Sequence, residues 1–271
     1  ILAFSFPIIV SYLLQQVYTI SDAAIVGQTL TAQEVAGVND TTSLIFIFLQ
    51  FAFGVSAGFC VVTSCQVGAR NQAGVRRSLA TQIILSAALT VLLTALALAL
   101  LNPMLAWINV TPDNAEVYQA AYTYCFIIFA GIGAQLFYNF ICAFLRSMGD
   151  SLTPLLFLLF STVLNVGLDP LLIFGLNMGV AGAALATILS QLASFCMLLL
   201  GCARGGNLRI RLKNLCFRRD LFLEIGKGGL PSLCRQGLAS IAAICLNRSA
   251  GLYGDAAIAA MSVVSRAMML A

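Results

Sequence analysis

Apolar stretches long enough to cross the ~30 Å hydrocarbon layer of a bilayer recur along the whole chain. They predict helical spans at about 4–27, 34–67, 78–101, 116–145, 153–175, 179–203 and 221–252, with an eighth opening near 256. The runs are too long for strands and do not alternate polar with apolar, which sets aside a β-barrel. Short polar or glycine-rich joints separate the spans, such as Gly68-Ala69-Arg70-Asn71-Gln72-Ala73-Gly74.

Successive joints must fall on opposite sides of the membrane, and the basic residues sort accordingly. The joint after span 2 holds Arg70, Arg76 and Arg77, the joint after span 4 holds Arg146, and the segment after span 6 holds Arg204, Arg209, Arg211, Lys213, Arg218 and Arg219. The alternate joints, 28–33, 102–115 and 176–178, hold no Lys or Arg. The positive-inside rule then puts the N-terminus and the basic joints in the cytoplasm. Trp107 and Tyr118 flank an outer joint, where an aromatic belt belongs. The basic segment 204–220 reads as an orientation signal and a linker rather than as an anionic-lipid or nucleic-acid patch.

Composition agrees with a chain that lives in lipid. Of 271 residues, 61% are apolar and 9% charged, with 14 basic and 10 acidic side chains and a formal charge of +4. A soluble domain carries about 25% charged residues, so a soluble enzyme, a nucleic-acid reader and a disordered tail are excluded. The chain has no His, which removes imidazole chemistry and His-ligated zinc or haem. Nine Cys form no C-x-x-C pair and read as small hydrophobes.

Displacing the chain by 224 residues lays Pro7 on Pro231, Leu14 on Leu238, Ile20 on Ile244 and Gly27 on Gly251. Six spans separate the two copies, so both start on the same side, as in a parallel repeat of two six-helix halves. The expected organisation is a six-helix lobe (1–203), a basic cytoplasmic linker (204–220) and the opening two helices of a second lobe (221–271). Completing that lobe takes roughly another 180 residues by the same arithmetic, so the chain is expected to be a fragment.

Ionisable groups inside such spans are costly, about 2.5 kcal/mol or more for a central acid, and so point to function. Asp22 lies in the outward half of span 1, and Asp169 in the outward half of span 5, within Asn165-Val166-Gly167-Leu168-Asp169-Pro170. Both spans run outward and carry the acid at a similar distance along, so at 1.5 Å per residue the two acids fall within about 3 Å of the same depth. Asn165 and Asp169 share a helical face, and Pro170 frees a carbonyl near Val166. Thr187 of span 6 can add a hydroxyl. These oxygens suit a proton or a small hard cation such as Na⁺, with no other metal or cofactor expected. The competing reading is structural, with Asp169 capping the broken backbone at Pro170 and Asp22 capping its own helix end. Asp40 of span 2 is a further candidate for the same cavity, whereas Glu34, Asp113, Glu116 and Asp255 read as solvated or capping groups at outer helix ends. Arg248 reads as snorkelling, and Arg235 and Arg266 as lining a water-filled cavity or pairing with an acid.

Three segments carry a family resemblance: Phe6-Pro7-Ile8 through Ser21-Asp22-Ala23 to Gly27; Leu145-Arg146-Ser147-Met148-Gly149-Asp150-Ser151-Leu152-Thr153-Pro154; and Leu164-Asn165-Val166-Gly167-Leu168-Asp169-Pro170-Leu171. In these the chain resembles the multidrug and toxic compound extrusion (MATE) family over essentially its whole length. The resemblance implies a twelve-helix antiporter of the bacterial cytoplasmic membrane, probing no nucleic acid and working as a monomer. It exports cationic or amphipathic small molecules against inward H⁺ or Na⁺. It also implies that Asp22, Asn165, Asp169 and Thr187 form the coupling-cation site and that the first helix bends at Pro7. Leu246 stands where the repeat aligns Asp22, so the cation site is expected in one lobe only. The alternatives are a lipid-linked oligosaccharide flippase of related architecture, against which the expected lack of a buried Arg or Lys in the first lobe speaks, and an inactive fragment. A membrane-embedded enzyme finds no nucleophile–base pair here.

Overall fold

The computed structural model describes residues 2–108, 110 and 114–204, with scattered helical positions between 225 and 249. Spans 7 and 8 as continuous helices, the linker from 205 onward, Asp113, Asp255, Arg248 and Arg266 lie outside the described residues; Arg235 is an exposed helical position. Among the described residues the chain is helical without strands. It runs α1 (Leu2–Thr29), α2 (Ala32–Gly68), α3 (Gln72–Ala99), α4 (Leu101–Trp107), α5 (Ala115–Ala130), α6 (Ile132–Ser147), α7 (Leu152–Pro170), a π-helical turn (Leu171–Gly175) and α8 (Gly179–Arg204). Five of these helices are long and apolar enough to cross a membrane, and six spans result if α5 and α6 are one.

Local chemistry sets the helix ends. Thr31 and Glu34 form a reciprocal capping box at the start of α2, the Thr31 backbone N–H donating to Glu34 Oε2 at 2.9 Å. Asn71 accepts from Gly74 N–H to open α3. Asp150 takes the Thr153 N–H and hydroxyl at the head of α7. Gly149, at φ +93°, supplies the left-handed turn between α6 and α7.

Three features depart from the sequence-based expectation. Span 4 is broken: α5 and α6 meet at Gly131 with a 46° bend. A methyl group at 131 would collide with Ile188 of α8, and Ala134 N–H folds back to the Gly131 carbonyl in a tighter turn. The outer joint after α3 contains a short helix, α4, with Tyr118 donating to Asn102 Oδ1 at 3.3 Å. Span 5 ends in a π turn, because Pro170 cannot continue the α-helical ladder and Leu176 N–H reaches the Leu171 carbonyl instead.

Packing is that of a membrane lobe, apolar outside and partly polar inside. Phe6, Val17, Ile20, Val91 and Val163 are exposed, while Thr41, Gln82, Asn165, Asp169 and Ser190 are fully buried. One core joins α2, α3, α5, α6 and α8 around Leu44, Leu93, Phe129 and Leu136; a second gathers Cys60, Phe140, Phe144 and Leu198. A Cβ at Gly37 would lie 2.7 Å from the Val117 carbonyl, so glycine is what lets α2 and α5 meet. α1 packs chiefly along α7 and touches α2 only lightly.

Candidate cation site

The α1–α7 seam brings together the acids singled out by depth. Asp169 and Asn165 are fully buried on one face of α7, and Asn165 Nδ2 donates to Asp169 Oδ1 at 3.4 Å. The half-buried Asp22 of α1 lies close enough for its carboxyl group to share a hydrogen bond with that of Asp169. Two ionised carboxylates repel at such range, a repulsion that a shared proton or a cation would relieve.

The cluster is under-satisfied. Oδ1 of Asp22, Oδ2 of Asp169, Oδ1 of Asn165 and the hydroxyl of Tyr18 are all buried without a hydrogen-bond partner. Buried polar atoms are ordinarily paired, so four orphans on adjoining residues make this seam a candidate site. Every one is oxygen, the donor set of a hard cation. Among the described residues no group of three or more His, Cys, Asp or Glu gathers to hold a metal.

Thr187 lies beside Tyr18, and its hydroxyl donates to the Ala183 carbonyl of its own helix at 3.2 Å. Pro7 is buried near the other end of α1, with Ser11 Oγ donating to its carbonyl at 2.7 Å, and α1 continues as helix through it. Asp40 does not join the cluster. The face of α2 that meets the lobe carries Gly37, Val38, Thr41, Leu44 and Ile45, which leaves Asp40 exposed on the other side. Glu34 caps α2 and Glu116 is exposed in the first turn of α5, as expected of them.

Two aromatic residues were not singled out from the sequence. Tyr18 sits one turn before Asp22, a spacing that helical periodicity could have flagged. Tyr124 of α5 lies within electrostatic range of Tyr18, Asp22 and Asp169, and nothing in its apolar surroundings distinguishes it from a core residue. The lobe is also not free of buried cationic groups: Nε of Arg146 is buried without a partner, because the last turn of α6 turns toward α1 and α7 rather than toward solvent.

The MatE family model matches residues 7–171, from Pro7 through Asp22, Asn165 and Asp169. The chain belongs to the MatE family. Members of that family are transporters, not enzymes. The "Probable multidrug resistance protein YoeA" of Bacillus subtilis is 29% identical over 97% of this chain and 58% of its own length. A MOP superfamily transporter from Pyrococcus furiosus superposes with a TM-score of 0.89 at 27% identity, covering 98% of this chain and 59% of the other. A structure described as MATE in the bent conformation gives a TM-score of 0.88 at 26% identity over 99% of this chain and 60% of its own. This MatE chain thus spans about three fifths of the length of these relatives.

Proposed function

We propose that the chain forms the ion-coupling lobe of an antiporter that exports cationic or amphipathic small molecules as H⁺ or Na⁺ moves inward. The observation that carries this reading is the set of four buried, unpartnered oxygens on Tyr18, Asp22, Asn165 and Asp169. Binding a small cation there satisfies the orphans and offsets the repulsion between the acids.

Alternating access follows from how α1 is held. It rests mainly on α7, so a change in charge at the Asp22–Asp169 contact alters its principal anchor. Pro7 weakens the helical ladder near the opposite end and gives α1 a place to bend. Cation binding then selects one α1 geometry, and the substrate leaves outward. Thr187, beside Tyr18, adds a hydroxyl to the same cation site. The lobe sits in the bacterial cytoplasmic membrane with its N-terminus inside, since Arg70, Arg76, Arg77 and Arg146 fall at one end of the helix stack. The names of the relatives support multidrug substrates.

The test is transport by the full-length protein in vesicles with an H⁺ or a Na⁺ gradient imposed separately, for wild type and for Asp22→Asn and Asp169→Asn. Export driven by one gradient and abolished in both variants is expected. Undiminished export in both variants would falsify the assignment.

A further inference from the structure

Arg146 is half-buried with its Nε enclosed, and its setting differs from that of Arg70, Arg76 and Arg77. Arg70, Arg76 and Arg77 are exposed, as groups that merely orient a membrane protein should be. Arg146 instead lines a cleft of about 30 Å³ between α1, α2, α6 and α7, with Tyr12, Gln15, Tyr138 and Asn139 in its walls. Its Nε is buried and makes no hydrogen bond, and no ion pair involving it occurs among the described residues. The nearby acid, Asp150, is already engaged by the Thr153 backbone and hydroxyl.

The chemistry of this cleft is the reverse of the cation site. A guanidinium with an unused N–H, in a cleft that Gln15 and Tyr12 also line, brings donors and one positive charge. Such a fork suits a planar or tetrahedral oxyanion. The volume limits what can enter. One water needs about 10–15 Å³ in the same measure, so two oxygen-sized atoms fit and a drug-sized molecule does not. The ligand must therefore insert an oxyanion and leave its body at the mouth.

We propose that the Arg146 cleft binds the phosphate oxyanion of an anionic phospholipid headgroup or of free phosphate, at the end of the lobe opposite the acid pair. One wall is the segment of α1 just past Pro7, including Ser11, Tyr12 and Gln15, so an occupant bridges this part of α1 to α6 and α7. The site stands apart from ion coupling, and its test does not depend on transport.

The experiment measures the thermal unfolding midpoint of the purified full-length protein in a neutral detergent. It is titrated with dihexanoyl-phosphatidylglycerol, with dihexanoyl-phosphatidylcholine, and with inorganic phosphate at constant ionic strength. Phosphatidylglycerol or phosphate is expected to raise the midpoint, with an apparent affinity at least about tenfold better than that of phosphatidylcholine. The more effective of the two identifies the source. Arg146→Gln is expected to remove the shift and Arg146→Lys to keep part of it. If Arg146→Gln fails to fold, Gln15→Leu serves instead and is expected to weaken the shift several-fold. No shift with any ligand, or the same shift in the folded variants as in wild type, overturns the proposal.

Discussion

Two buried polar clusters sit in the same lobe and obey opposite rules. Between α2 and α3, Gln82 Nε2 lies 2.6 Å from the Phe59 carbonyl, 2.8 Å from Thr63 Oγ1 and 2.8 Å from Ser78 Oγ. Thr63 and Ser78 are 3.0 Å apart, and the Cys60 thiol donates to Gln82 Oε1 at 3.8 Å. None of these atoms is left unpaired, and the knot holds two helices together. Between α1 and α7, four buried oxygens go without partners. Burial alone therefore does not separate scaffold from site. The clustering of unmet atoms marks the seam, although Ser86, Gln191 and Ser194 elsewhere in the lobe each carry one as well, because unmet polar atoms in a water-poor interior cost stability that a ligand can recover.

This contrast is open to attack by substitution, and the largest effect is expected in the acids. Asp22→Asn and Asp169→Asn should each cut gradient-driven export by about tenfold or more, with membrane expression retained. Their unfolding midpoints should hold or rise, since each substitution removes a charge without breaking a satisfied bond. Gln82→Leu should do the reverse. It should lower the midpoint, by about 1–2 kcal/mol of stability for a broken network in a membrane interior, and leave export per folded molecule unchanged. A Gln82→Leu protein that is stable but cannot couple would erase the distinction.

A smaller effect sharpens the same contrast from the ligand side. The coupling ion should raise the wild-type midpoint, by up to ~2.7 kcal/mol at a hundredfold excess over its dissociation constant, and should not do so in Asp169→Asn. Smallest of all, Tyr18→Phe removes one orphan hydroxyl. It should weaken the apparent affinity for the ion a few-fold with the midpoint unchanged, read from the ion dependence of export.

The sequence carried the parts of this molecule that depend on one helix at a time. The lengths of α1, α2, α3 and α8 follow from uninterrupted apolar runs, and Asp22 and Asp169 stand out because a charge in such a run is conspicuous. Asn165 follows from Asp169 by one helical turn. What was not legible depends on neighbours. The bend at Gly131 needs Ile188 of α8 pressing on it, and glycines elsewhere in the spans, such as Gly54 and Gly58, are buried within a continuous helix. Tyr124 and Gln82 acquire their roles only from what α1 and α2 place beside them. Asp40 is a further candidate on sequence alone, and its exposure is a matter of which side of α2 meets α5.

The lopsided support of α1 has a mechanical consequence. Asp22 and Pro7 are 15 residues apart on one continuous helix, a rod of about 22 Å. If the acid contact is the fulcrum, a tilt of about 10° swings the far end by about 4 Å, close to the width of a methylene chain. An event no larger than the arrival of one ion is thereby geared up to the scale of a doorway, and the length of the lever sets the gain.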